Sequence, residues 1–308
     1  MTKENQIFEY VALTKNVIAM VPTKPTSEMY EASESVTIAC IALPNELIFV
    51  DCGCYPKLIK KFREDMEAKY ERQTSHLFLT HTHWDHLIAM EVFKDINVVA
   101  FELGIQGFEI VNKMKDNKSI KEVEKSFIVE RELAEIIAKA NIFMPNIIVK
   151  ENEFKIDSEG KEVIFRRIGG HSPDSAYIYV PSEEVLCTGD NLLECFAQIP
   201  GNPDETLEIF DHWESLDINK IVPGHGKIID KEYLSKVANY FKDLNSTLEN
   251  LCSQGINIKD IIVHSSIPEY FAKSQPNWLE FLPGRGEIIK NYTRSWCRFI
   301  KKKLRSNK

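Results

Sequence analysis

Thr80-His81-Thr82-His83-Trp84-Asp85-His86 gathers four side chains able to hold a metal, His81, His83, Asp85 and His86, within six positions. With eight histidines in 308 residues, three His and one Asp at these spacings arise by accident in roughly 3 of 10⁴ chains of this length. Neutral imidazole and carboxylate suit a borderline cation such as Zn²⁺, and also Fe or Mn. His76 to Thr80, just before the cluster, reads as a buried strand. In a loop leaving that strand, His81 and His83 are two apart and can point to one side. Asp85 and His86 diverge where the chain turns, so a single loop can feed two neighbouring ions.

Three further candidates each follow a strand-like run. His171 lies in Gly169-Gly170-His171-Ser172 after Val163 to Ile168. Asp190 lies in Thr188-Gly189-Asp190 after Val185 to Cys187, and His225 in Pro223-Gly224-His225-Gly226 after Lys220 to Val222. In sheet-based folds the loops at one end of the strands converge on a common crevice, and the flanking glycines permit close backbone approach.

The combined pattern, His-x-His-x-Asp-His, then Gly-His-Ser, Gly-Asp and Gly-His, resembles the metallo-β-lactamase superfamily over roughly residues 35 to 230. The Thr80 to His86 run is especially similar to the glyoxalase II-like hydrolases. The resemblance implies an αβ/βα sandwich with metals at the edge between two sheets. It implies that His81, His83 and His171 hold one divalent cation, that Asp85, His86 and His225 hold a second, and that Asp190 bridges them. Asp51, in Asp51-Cys52-Gly53, matches an early Asp-x-Gly of the family; it reads either as a support for the histidine loop or as a turn residue. Two departures bear on substrate: Leu87-Ile88-Ala89-Met90 stands where relatives often continue with Gly-Gly, and His171 follows His86 by 85 positions.

The reaction expected of such a site is hydrolysis of a small ester, thioester or lactone by a hydroxide shared between two metals. Asp85 is the candidate to orient the nucleophile or pass a proton, beside its ligand role. A two-metal phosphodiesterase or nuclease, an iron-dependent redox member of the superfamily and a non-enzymatic binding protein are the alternatives. A net charge of -8 weighs against nucleic acid, which calls for a basic face. The presence of both His86 and His225 weighs against the redox reading.

Around these motifs, Val36 to Leu43 and Glu46 to Val50 read as a hairpin split by Pro44-Asn45. A helix follows from Pro56, with Leu58, Phe62 and Met66 on its apolar side. A helical insertion near the site is expected over 101–145, with Ser119 and Glu122 forming a capping box. The metal-binding core is placed at 1–230. A helical C-terminal region is placed at 231–308, where the stripe Leu234, Val237, Phe241, Leu244, Leu248 and Leu251 can bury itself within the chain or against a second copy in a homodimer. Cys52, Cys54 and Cys187 read as core fillers, and Tyr177 and Tyr179 as a pair of which at most one faces the site. Gly284-Arg285-Gly286 lacks the lysine and spacing of a phosphate loop. Seven cysteines with no Cys-x-x-Cys pair, a polar start and no apolar run of membrane-spanning length lead to the expectation of a cytoplasmic, reduced protein acting on a small molecule.

Overall fold

A computed structural model describes residues 7–29, 31–195, 201–270 and 288–306; the Gly284-Arg285-Gly286 run lies outside them. Twelve strands form two sheets. The first contains β1 (Phe8–Ala12), β2 (Val17–Pro22), β3 (Ile38–Ala42), β4 (Leu47–Val50), β5 (Thr74–Phe78), β6 (Asn97–Phe101) and β7 (Ile147–Val149) in sequential order. Its first four strands pair antiparallel, and β4 to β7 run parallel. The second contains β8 (Glu153–Ser158), β9 (Lys161–Arg167), β10 (Ala176–Val180), β11 (Val185–Gly189) and β12 (Lys220–Pro223), in the order 12-11-10-9-8.

Period-two side-chain alternation decides which layer each residue joins. Ile48, Val50, Phe78 and Val99 from the first sheet meet Phe165, Ile178, Cys187 and Val222 from the second, forming a core between the sheets. Phe78 and Phe165 stack across that gap, with ring centroids 4.9 Å apart and planes 9° from parallel. The alternate residues Leu47, Phe49 and Leu77 face outward onto α1 (Pro56–Tyr70), α2 (Ile105–Lys115), α3 (Ile120–Phe127) and α4 (Arg131–Lys139). On the opposite face Leu186 and Ile221 pack beneath α5 (Pro203–Ser215), α6 (Lys231–Ser253), α7 (Ile258–Ile261) and α8 (Ile288–Ser306). The result is the expected four-layer αβ/βα sandwich, with a helical region after the last strand.

Several details differ from the sequence reading. On α1 the buried residues are Ile59, Phe62 and Met66, so the apolar face is turned by one position from Leu58. Tyr177 and Tyr179, two apart, share a face. Both lie under the second helical layer, with their hydroxyls 2.8 Å from His212 Nε2 and 2.9 Å from the Asp217 carbonyl, respectively. Strands β1, β2, β6 and β8 had no counterpart in the sequence reading. The turn joining β8 to β9 puts both Glu159 and Gly160 at positive φ, 54° and 80°, a hairpin geometry usually announced by Asn or Asp before the glycine. The stripe on α6 is buried within the chain, against Trp296, Cys297 and Ile300 of α8 and against Phe210 and Trp213 of α5. No helix among the described residues is long and apolar enough to cross a membrane.

Replacing Phe165 by Ala removes half of the stacked pair from a site with no solvent access. The expected cost is about 3–5 kcal/mol of unfolding free energy, read by urea denaturation; a loss below about 1 kcal/mol would contradict this account of the inter-sheet core.

Candidate metal centre

The seven donors arrive from four turns at one edge of the sandwich. Because β9 and β11 both run antiparallel to β10, while β12 runs parallel to β11, the chain leaves β9, β11 and β12 at the same end. Those exits carry His171, Asp190 and His225. The first sheet contributes the turn after β5, and the two sheets are joined beside it. Ala176 N–H donates to the Thr80 carbonyl at 2.9 Å, and Thr37 N–H to the Gly224 carbonyl at 2.9 Å.

Two donor groups result. One atom from each of His81, His83, His171 and Asp190 lies within 4.8 Å of the others, and the same holds for Asp85, His86 and His225. Asp190 faces both groups. Its Oδ2 is 3.8 Å from His81 Nε2 and 3.6 Å from His171 Nε2, and its Oδ1 is 3.2 Å from His86 Nε2 and 3.3 Å from His225 Nε2. Asp85 Oδ2 lies 3.4 Å from His225 Nε2. Donors around a tetrahedral zinc stand about 3.3 Å apart, given bonds near 2.0 Å, so these separations fit a cation in each group.

The polar chemistry fits as well. His81 Nε2, His86 Nε2 and Asp190 Oδ1 are buried with no hydrogen-bond partner among the described residues. Each such atom costs about 1–3 kcal/mol, a penalty that coordination would remove. Burial, reinforced by His86, holds His81 well below the ordinary histidine range, and burial pushes His171 down to about 4. Both are therefore neutral, the form that ligates. Burial alone would raise Asp190, but His225, His86 and His81 outweigh it and hold the carboxylate ionised. For His86 the carboxylates of Asp51 and Asp190 overcome burial and raise the ring.

A set of supporting residues fixes the donors in place. Asp51 Oδ2 lies 2.9 Å from His86 Nδ1, while Asp51 accepts from Thr80 N–H and Thr80 Oγ1, both at 2.8 Å. Of the two readings open from sequence, Asp51 thus does support the histidine loop, and its φ of 61° shows that it forms the turn too. His225 Nδ1 is 3.0 Å from Ser35 Oγ. Asn191 clamps the second turn: its Oδ1 accepts from His171 N–H at 2.7 Å and its Nδ2 donates to the Gly169 carbonyl at 2.8 Å. Ser35 and Asn191 escaped the sequence reading. The one available signal for Asn191 was a polar residue directly after Asp190 in an otherwise apolar run.

Comparison with known proteins agrees with this architecture. The family model described as the metallo-beta-lactamase superfamily matches residues 35–225. The chain belongs to the metallo-beta-lactamase superfamily. Among curated relatives, a type 2 metallo-beta-lactamase of Bacillus sp. (strain 170) is 22% identical over 205 residues, covering 64% of this chain and 68% of its own; that of Bacillus cereus is 21% identical. Among solved structures, a metallo-beta-lactamase family protein from Thermus thermophilus aligns over 96% of this chain and 95% of its own at 16% identity and a TM-score of 0.57. A stereoselective inverting sec-alkylsulfatase from Pseudomonas sp. aligns over 95% of this chain at 13% identity and a TM-score of 0.59, the match taking 50% of the sulfatase. Superfamily membership makes the chain a hydrolase of this fold.

Gly224 is the tightest point of the centre. A Cβ there would collide with Asp190 Oδ1 and with the backbone at Gly189 and Asp190. Gly224→Ala is expected to displace the carboxylate and to cut bound metal, measured by mass spectrometry of the purified protein, while far-UV circular dichroism stays unchanged. Full metal content in the variant would refute the tight packing.

Proposed function

We propose that this superfamily member hydrolyses a small ester, thioester or lactone with two divalent cations, zinc being the best chemical match to a nitrogen and oxygen donor set. His81, His83 and His171 hold one cation in this reading, Asp85, His86 and His225 the other, and Asp190 spans both. The supporting observation is the Asp190 carboxylate, one oxygen turned to each histidine group. Bound there, a pair of cations supplies hydroxide near neutral pH and polarises the oxygen of the scissile bond. Asp85, 8% exposed at its side chain, would orient the attacking water or carry its proton away, beside its ligand role.

The choice of substrate rests on the turn sequence Thr80 to His86, with its likeness to glyoxalase II-like thioester hydrolases, and on charge. A net charge of -8 disfavours a nucleic-acid substrate. Helices α2 and α3 pack against the ligand turn. Gly107 of α2 abuts Thr82, between two ligands, and Trp84 packs edge-on against Phe127 of α3 with centroids 5.4 Å apart.

Metal analysis should find about two equivalents per chain, and Asp190→Ala should lose metal and turnover together. The zinc-loaded protein should cleave thioester or lactone substrates faster than a bis-aryl phosphodiester. A strict preference for the phosphodiester would overturn the substrate assignment, and folded protein that takes up no metal would overturn the centre itself.

A further inference from the structure

The segment Asp51-Cys52-Gly53-Cys54 touches the ligand turn at more points than its aspartate. Cys52 Sγ lies 2.9 Å from the His86 carbonyl, and Cys54 Sγ lies 3.3 Å from the Asp85 carbonyl. The backbone follows the same course: Cys52 N–H donates to His86 O at 3.3 Å, and Ala89 N–H to Gly53 O at 2.9 Å. Both thiols are sealed, at 0% and 1% exposure. Asp85 and His86 belong to the same donor group, and neither carbonyl is shared with the other group. The alternation of the segment therefore aims two weak donors at two consecutive ligand residues.

We infer that Cys52 and Cys54 are positioning residues for the Asp85, His86 and His225 subsite, holding the backbone of the Asp85–His86 turn through paired S–H···O=C hydrogen bonds. This rests on the two-cation reading above. A thiol is a weak donor, but here it works at no cost in exposed polarity, and each bond fixes the carbonyl of a residue whose side chain must hold its aim. Asp51 fixes the ring of His86, and Cys52 fixes its backbone. The first group has no such partner among these thiols, so the effect of losing them is confined to one subsite.

The experiment is a zinc titration of the full chain against a chelating competitor, resolving two equivalents. Cys52→Val and Cys54→Val fill the thiol's volume without a donor; Cys52→Ser and Cys54→Ser keep one. Cys40→Ala, at an equally sealed thiol in β3, reports the effect of disturbing a buried cysteine elsewhere. The expected result is that the valine variants weaken one equivalent by about 10- to 100-fold, leave the other within about twofold, and recover in the serine variants, while Cys40→Ala shifts neither. Equal weakening of both equivalents, no weakening, or serine variants that behave like valine would overturn the inference while the wild type still binds two zinc ions. A wild type that binds fewer than two overturns the two-cation reading, and this inference with it. Should a valine variant fail to fold, the alanine variant of the same cysteine is read in its place against Cys40→Ala, by the same criteria.

Discussion

Asp190 buries a carboxylate between two sets of imidazoles, with its oxygens 3.2 to 3.8 Å from four histidine nitrogens. Taking such a charge out of water costs several kcal/mol, and the surrounding rings recover that only if they stay where they are. The packing around the cluster follows from this requirement. Gly224 must lack a side chain for the fourth turn to pass Asp190 Oδ1, and Gly170, at a φ of 96°, must lack one to let Asn191 reach the second turn. The same turns carry the donors, so tolerance for movement is small at each of them.

The joining of the two sheets is part of the same constraint. Each sheet alone supplies an incomplete donor set: the β5 turn carries four residues, and the second sheet carries three. The Ala176 to Thr80 and Thr37 to Gly224 hydrogen bonds bring both sets to one edge, and the Phe78–Phe165 stack holds the sheets at a fixed separation just beneath it. Packing in the sandwich core thus sets the distance between ligands that are up to 144 positions apart in sequence, from His81 to His225. Close-packed interiors transmit such constraints because side chains have almost no free volume to relax into.

Much of this is legible in the amino-acid order alone. The ligand-bearing turns are visible because His and Asp are rare beside glycine after an apolar run, and the strands β3, β4, β5, β9, β10, β11 and β12 because of their apolar runs. The amphipathic helices α1, α3 and α6 declare themselves by period, and α3 by its capping box, in which Ser119 and Glu122 bond reciprocally. What escaped is equally physical. β8 alternates exposed and half-buried residues and carries no apolar run, while β1 lies at a sheet edge with no sealed residue. Ser35 and Asn191 act only through contacts with residues 190 and 20 positions away, which no local pattern encodes. The cysteines at 52 and 54 look like core residues by type and burial, and only their sulfur-to-carbonyl distances separate them from Cys40.

The two donor groups differ in their access to solvent. His83 is exposed and the His171 side chain is 10% exposed, whereas His86 and His225 stand at 0% and 1%. Among the described residues the first group thus holds the most exposed donor, and the second is backed by Asp51, Cys52 and Cys54. Among the described donors, His83 is the one most open to water. The helices α2 and α3 pack against the ligand turn at Thr82 and Trp84, while the two donor groups stay linked through Asp190, the His81–His86 ring contact at 4.3 Å and the Asp51–Thr80–His81 hydrogen bonds. The ligand turns thus hold their polar chemistry at one edge of the sandwich, while the 84 residues between His86 and His171 supply the helices that border it.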